Sequence, residues 1–196
     1  MTTTIKDALK QWEAQHGAKA VEAEQVQLYG QLPPIAKMDA SLSTLKKCVQ
    51  LSLSSNMIEK ITSLSGMDSL KILSLGRNQI KKIENLDGVA DTLEQLWMSY
   101  NFVEKLAGIE KLKNLRVLYM SNNVIKSWAE LERLKELENL QEVLLVGNPI
   151  WKTHDEAGDW KMQILARLPN LKKLDGAPVD DEDREKAEAF RSENNL

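Results

Sequence analysis

The chain has 196 residues, and 26 lysines and arginines against 29 aspartates and glutamates give a formal net charge of −3. That balance argues against a protein that binds nucleic acid or an anionic membrane surface, because both favour a strong positive excess. One cysteine (Cys48), no signal-peptide core and no apolar run of membrane-spanning length predict a protein of the cytoplasm or nucleus.

Residues 1–20 are predicted to form an N-terminal capping helix. Its apolar residues recur at helical spacing on one face: Ile5, Ala8, Leu9 and Trp12. Thr3 or Thr4 can cap its start, and Gly17 is suited to end it. Residues 25–29 then predict a degenerate first strand.

An asparagine repeat dominates residues 21–152. The asparagines recur at intervals of 22, 23, 22 and 25 residues: Asn56, Asn78, Asn101, Asn123 and Asn148. In each copy, apolar residues stand eight, five and three positions before the asparagine and two positions after it. Residues two apart on a strand share one face, and a face that one repeat cannot bury favours stacking of several.

The repeat predicts an α/β leucine-rich-repeat solenoid of about six repeats, the first degenerate. It has a parallel sheet on one face, short helices on the other and helical caps at both ends. Each asparagine follows a strand, so its amide is expected to satisfy backbone groups of that turn and of the next repeat. Cys48 fills a core position. The apolar spacing over residues 128–140 predicts a helix on the convex side.

Residues 153–178 are predicted to form a C-terminal cap. Residues 179–196 are predicted to form a terminal helix or tail, only partly packed on the array. Acidic residues at 180–183 favour a helix start there. Arg184 and Arg191 are seven apart and share one helical face, which is either a contact for an acidic partner or a solvated surface.

The outward strand positions predict a binding face. Its first half is small and polar, whereas its second half and the residues just past the strands are aromatic or aliphatic. The candidate residues are Ile72, Trp97, Tyr100, Phe102, Val117, Tyr119 and Leu144. Large apolar side chains on a solvent face indicate a protein interface. The alternative is that a cap or tail of the same chain covers them.

A lysine column stands four residues past the asparagines, at Lys60, Lys82, Lys105 and Lys152, with Ser127 interrupting it. It is either a basic edge that steers an acidic partner or a set of solvated turn residues, and the second is the simpler interpretation. His16 and His154 lack metal-ligand spacing, and no phosphate-binding loop is present in the sequence. We therefore expect no catalytic residue, no metal, no cofactor and no enzymatic activity.

The repeat resembles the 22-residue class of a phosphatase-1 regulatory protein. Segments across the chain are also similar to the leucine-rich-repeat light chains of axonemal outer-arm dynein. They are residues 3–8 (TTIKDA), 33–35 (PPI), 37–40 (KMDA), 73–78 (LSLGRN), 118–123 (LYMSNN) and 171–176 (LKKLDG).

The dynein resemblance implies a non-catalytic subunit that binds a dynein heavy chain near its microtubule-binding region and modulates the motor. It implies the cytoplasm, the cytoskeleton and the axoneme of a cilium or flagellum, with tubulin as a further partner. The binding residues that the resemblance implies, carried over by position, are Trp97, Tyr119 and Leu144 on the strand face and Arg184 and Arg191 on the tail. A phosphatase-1 regulator and a spliceosomal protein partner remain open.

Overall fold

A computed structural model describes residues 2–62 and 64–196. Residues 1 and 63, in the predicted N-terminal cap and repeat array, lie outside it. One sheet has its strands in chain order. They are β1 (Gln25–Gln27), β2 (Gln50–Ser52), β3 (Ile72–Ser74), β4 (Gln95–Trp97), β5 (Val117–Tyr119), β6 (Glu142–Leu144), β7 (Lys173–Leu174) and β8 (Ala177–Pro178).

Strands β1 to β7 pair in parallel, and β8 turns back to pair antiparallel with β7. The register aligns one inward residue per repeat: Leu51, Leu73, Leu96, Leu118 and Val143. All of them are buried, so successive repeats share one continuous core. The predicted leucine-rich-repeat solenoid is therefore confirmed.

The convex side is formed mainly by 3₁₀ turns. They span Ala20–Glu22, Ala40–Thr44, Asp87–Val89, Ile109–Lys111 and Glu132–Glu136. The helix predicted over 128–140 was wrong in extent, because α2 covers only Trp128–Leu131 and a 3₁₀ turn follows. Leu131, Leu134 and Leu137 recur every three residues, which is the 3₁₀ period.

The frame asparagines hold neighbouring repeats together. Asn101 is representative: its Nδ2 donates to the carbonyls of Met98 and Leu75 at 3.0 Å each, and its Oδ1 accepts from the Ile80 N–H at 2.9 Å. Leu75 and Ile80 belong to the preceding repeat. The predicted role of the amide is confirmed for the turn, but the neighbour that it binds is the preceding repeat and not the next one.

We expect Asn101→Ala to lower the free energy of unfolding by about 3 kcal/mol or more, because it leaves buried backbone groups without partners. Asn139→Ala is the matched control, since its exposed amide makes one bond, to the Lys113 carbonyl at 2.9 Å. That control should lose about 1 kcal/mol or less. Urea unfolding of both variants measures the difference, and equal losses would contradict the assignment.

The N-terminal helix α1 spans Ile5–His16. Thr4 caps its start by accepting a hydrogen bond from the Asp7 N–H, and Gly17 ends it at a φ of 62°. Its predicted apolar face is buried against the first repeat: Ile5, Ala8, Leu9 and Trp12. The sequence therefore predicted both the helix and the residues that begin and end it.

At the other end, α3 (Pro149–Ala157) and α4 (Trp160–Arg167) close the array. The predicted boundary after residue 152 falls inside α3, so the array runs directly into the cap. The Asp175 carboxylate joins the last strand to the cap: its Oδ1 accepts from the Val146 N–H at 3.0 Å, and its Oδ2 accepts from the Trp160 indole at 2.8 Å. Among the described helices, none is long and apolar enough to span a bilayer.

The terminal helix α5 spans Asp181–Asn194. A capping box between Asp180 and Asp183 starts it. The Lys161 ammonium lies 2.5 Å from the Asp183 carboxylate and ties α5 to α4, and Ala187 is buried at their interface. The helix is therefore docked on the cap along its first half.

Candidate protein-binding face

The strand face, the outward side of β1 to β6, carries two central columns set by the strand register. In one column, Trp97 lies between Ser74 and Tyr119, and Leu144 follows Tyr119. The other column contains Ile72, Gln95, Val117 and Glu142. The predicted apolar members are all half-buried: Ile72, Trp97, Val117, Tyr119 and Leu144. The structure therefore brings these candidates together and leaves part of each exposed.

An aromatic stack lies at the centre of this face. The Trp97 and Tyr119 rings have centroids 5.9 Å apart and an interplanar angle of 21°. The Tyr119 hydroxyl donates to Glu142 at 2.7 Å, and Lys173 lies 3.1 Å from the same carboxylate oxygen. The Trp97 Nε1–H is buried without an acceptor among the described residues. The stack is thus braced on its Tyr119 side, whereas the indole N–H is unsatisfied.

Burial raises the pKa of Tyr119 to about 12, and the neighbouring Glu142 carboxylate adds to the shift. Desolvation disfavours the phenolate, and the carboxylate both binds the neutral hydroxyl and repels the negative form. Tyr119 therefore presents a neutral hydroxyl at any physiological pH.

We expect Glu142→Gln to lower the pKa of Tyr119 from about 12, because it removes the negative charge beside the phenol. Spectrophotometric titration of tyrosinate measures this, and Tyr119→Phe assigns the signal. The folded-state pKa of Tyr119 lies above its ordinary value of 10.0, so the contribution of the neutral phenol to stability is complete below pH 10 and is lost as the pH rises towards 12. An unchanged titration curve in Glu142→Gln would contradict the assignment.

Small polar side chains that satisfy one another line the face beside the central columns. The Ser54 and Ser74 hydroxyls lie 2.7 Å apart, and the Ser121 hydroxyl donates to Ser99 at 2.8 Å. The third outward column, which the sequence analysis did not single out, contains Ser54, Gly76, Ser99, Ser121 and Val146. Four of these five side chains are small, whereas the neighbouring column carries the larger aromatic ones.

Tyr100 and Phe102 lie past the carboxyl end of β4, on the edge of the sheet. They are 47% and 53% exposed. Tyr100 has a φ of 60°, and the Arg77 guanidinium lies 4.2 Å from its ring centroid. These two aromatic residues extend the candidate face around its edge, and Arg77 adds a positive charge there.

Arg184 and Arg191 both contact their own chain. Arg184 donates to the carbonyls of Pro169 at 2.7 Å and Leu171 at 3.0 Å, just past the end of α4. Arg191 donates to the Leu196 carbonyl at 3.1 Å. Arg184 therefore anchors α5, and a role of either guanidinium in binding a partner stays a prediction.

We expect Arg184→Ala to increase amide hydrogen exchange in α5 and to lower the free energy of unfolding by about 1 kcal/mol, since two charged hydrogen bonds are lost at a partly exposed site. Arg191→Ala is the control, because the Arg191 guanidinium contacts Glu188 within α5 and Leu196 at its end, and neither contact reaches α4. Exchange measured by mass spectrometry distinguishes the two. Unchanged exchange in α5 of the Arg184 variant would show that the anchor is dispensable.

The described residues include no cluster of three or more histidine, cysteine, aspartate or glutamate side chains arranged to hold a metal. Cys48 is buried, and burial raises its pKa to about 11, so its thiol stays protonated. The strand face is accordingly the most prominent candidate site.

Stacked parallel strands closed by asparagine turns define a leucine-rich-repeat protein. Residues 46–88 match the family described as Leucine Rich repeats (2 copies), and residues 103–176 match the NXF1/2/3/5 leucine-rich repeat domain. The Dynein axonemal light chain 1 of Chlamydomonas reinhardtii is 58% identical over 96% of this chain and 97% of its own length. That of Xenopus laevis is 55% identical over 95% and 97%. The chain belongs to the axonemal dynein light chain 1 family.

Solved structures show the same architecture. The Drosophila melanogaster SNF/U2A′ complex contains a chain with a TM-score of 0.54 and 22% identity, matched over 85% of this chain and 80% of its own. An internalin of Listeria monocytogenes has a TM-score of 0.60 at 20% identity, and this chain spans 40% of its length. At these identities the likeness shows the fold alone.

Proposed function

We propose that the protein is a non-catalytic light chain of ciliary or flagellar outer-arm dynein, which binds a dynein heavy chain and modulates the motor. Its family membership supports a dynein light-chain role, because relatives with that name match this chain over nearly their whole length. A location in the cytoplasm and the axonemal cytoskeleton follows from this proposal.

The proposed contact is the aromatic half of the strand face. One observation carries it: Trp97, Tyr119 and Leu144 stand side by side on the sheet and are only half-buried. Since the caps of the same chain leave part of this patch exposed, a partner is the better explanation of its composition. The buried Trp97 N–H is a donor that a small movement of the indole would offer to that partner.

On the heavy chain, the proposed target is the neighbourhood of the microtubule-binding region. Val117 and Ile72 extend the apolar patch on the face, and Tyr100 and Phe102 extend it around the edge. For a second partner such as tubulin, the proposed contact is α5, at the end of the array. The docking of α5 on α4 supports a fixed position for that helix.

We expect Trp97→Ala to weaken binding of a recombinant heavy-chain microtubule-binding region by about 2 kcal/mol, or about thirtyfold in Kd, because central tryptophans dominate such interfaces. Val21→Ala is the control, since Val21 is an exposed apolar residue near the N-terminal cap. Calorimetry gives the affinities, and circular dichroism confirms that both variants fold. Trp97→Phe keeps an apolar ring and should lose less.

Unchanged affinity in Trp97→Ala would remove the strand face from the proposal. Failure of the wild-type protein to bind the heavy-chain fragment, together with recovery in a phosphatase-1 or spliceosomal complex, would replace the dynein role with an adaptor role in that complex. The likeness to the SNF/U2A′ structure does not favour the second outcome, because it extends only to the fold.

A further inference from the structure

We propose that a column of four lysines binds an acidic polypeptide segment. The lysines lie beyond the turns that follow the carboxyl ends of the strands. This lysine ladder consists of Lys37, Lys60, Lys82 and Lys105. It is separate from the strand face, so the inference goes beyond the proposed function.

Backbone hydrogen bonds between repeats align the ladder. The N–H groups of Met57, Gln79 and Phe102 donate to carbonyls of the preceding repeat, those of Ile35, Ile58 and Ile80, at 2.8–2.9 Å. Each lysine follows two residues after the corresponding inward residue: Ile35, Ile58, Ile80 or Val103. Lys82 and Lys105 also form a parallel bridge. Neighbouring lysines are therefore about one strand spacing apart along the backbone, roughly 4.8 Å.

Five lysines elsewhere on the array pair with acidic residues of a neighbouring repeat. These ion pairs are Lys47–Glu22, Lys71–Glu94, Lys111–Asp87, Lys113–Glu136 and Lys126–Glu104. The four ladder lysines are all exposed, and none forms an ion pair within the described part of the chain. The ladder thus differs from those five positions, where a charge of opposite sign stands on the neighbouring repeat.

The column beside the ladder shows the same contrast. It reads Glu59, Lys81, Glu104 and Lys126, so its charges alternate. Glu104 lies 3.2 Å from Lys126 and is not paired with the adjacent Lys105. The ladder ends there, because Ser127 caps α2 at the next position and Lys152, a predicted member of the column, lies on α3.

An acidic polypeptide suits this surface better than a nucleic acid. Lysine ammonium groups are compact charges on flexible stems, which adapt to carboxylates at irregular spacing. The ladder contains no arginine, the residue favoured for bidentate phosphate binding. Met57 is exposed beside it, at 45%, so an acidic segment that also carries an apolar residue fits the surface.

The test uses the full chain and a fluorescein-labelled oligoglutamate peptide at low ionic strength, read by fluorescence anisotropy. We expect the triple variant Lys60→Gln, Lys82→Gln, Lys105→Gln to raise the Kd about tenfold, as the sum of three exposed charge contacts. Its salt dependence should also become shallower. The control triple Lys47→Gln, Lys111→Gln, Lys113→Gln removes the same charge from paired positions and should change the Kd little.

Three outcomes would overturn the inference: no binding of oligoglutamate by the wild-type chain, equal weakening in both triple variants, or tighter binding of an oligouridylate of equal length. The ladder lysines are exposed, so circular dichroism should show unchanged folding in the variants. Trp97→Ala should leave oligoglutamate binding intact, and this separates the result from the heavy-chain experiment.

Discussion

The side-chain amide of the frame asparagine is the interaction on which the array depends. Each strand is three residues long or shorter, too short to hold its register by sheet hydrogen bonds alone. The turn after each strand also places a residue at positive φ: Ser55, Arg77, Tyr100 and Asn122. That conformation costs an ordinary residue about 1 kcal/mol. The amide offsets this cost by bonding the turn to the preceding repeat.

Because the amides fix the register, they also fix the surface. Trp97 contacts Tyr119 because β4 and β5 align residue for residue, and the lysines form a column for the same reason. A displacement of one repeat would break the aromatic stack and the ladder together. The two candidate surfaces therefore depend on the same buried amides, although they lie at different positions of the repeat.

Much of the fold and of the strand face was predictable from sequence, because every copy of the repeat adopts the same geometry. Inward leucines, outward columns and the capping signals of α1 all follow from spacing. Arg184 shows the limit: its sequence position puts it on one face of α5, but only the docking of α5 on α4 turns its guanidinium towards backbone carbonyls. Lys37 was missed because Ile35 stands seven positions after Leu28, whereas Ile58 stands five positions after Leu53. The two extra residues hide its alignment with Lys60.

The reversal of the last strand has a consequence for self-association. A stack of parallel strands has two open edges, and the trailing edge of one copy is in principle a template for the leading edge of another. Here the Val179 N–H donates to the Lys172 carbonyl of β7. Because backbone groups alternate in direction along a strand, the backbone N–H position of residue 178 points away from β7, towards the open edge. That position is Pro178, which has no N–H to offer. The sheet thus ends in a strand unsuited to accept another copy, which opposes head-to-tail fibres.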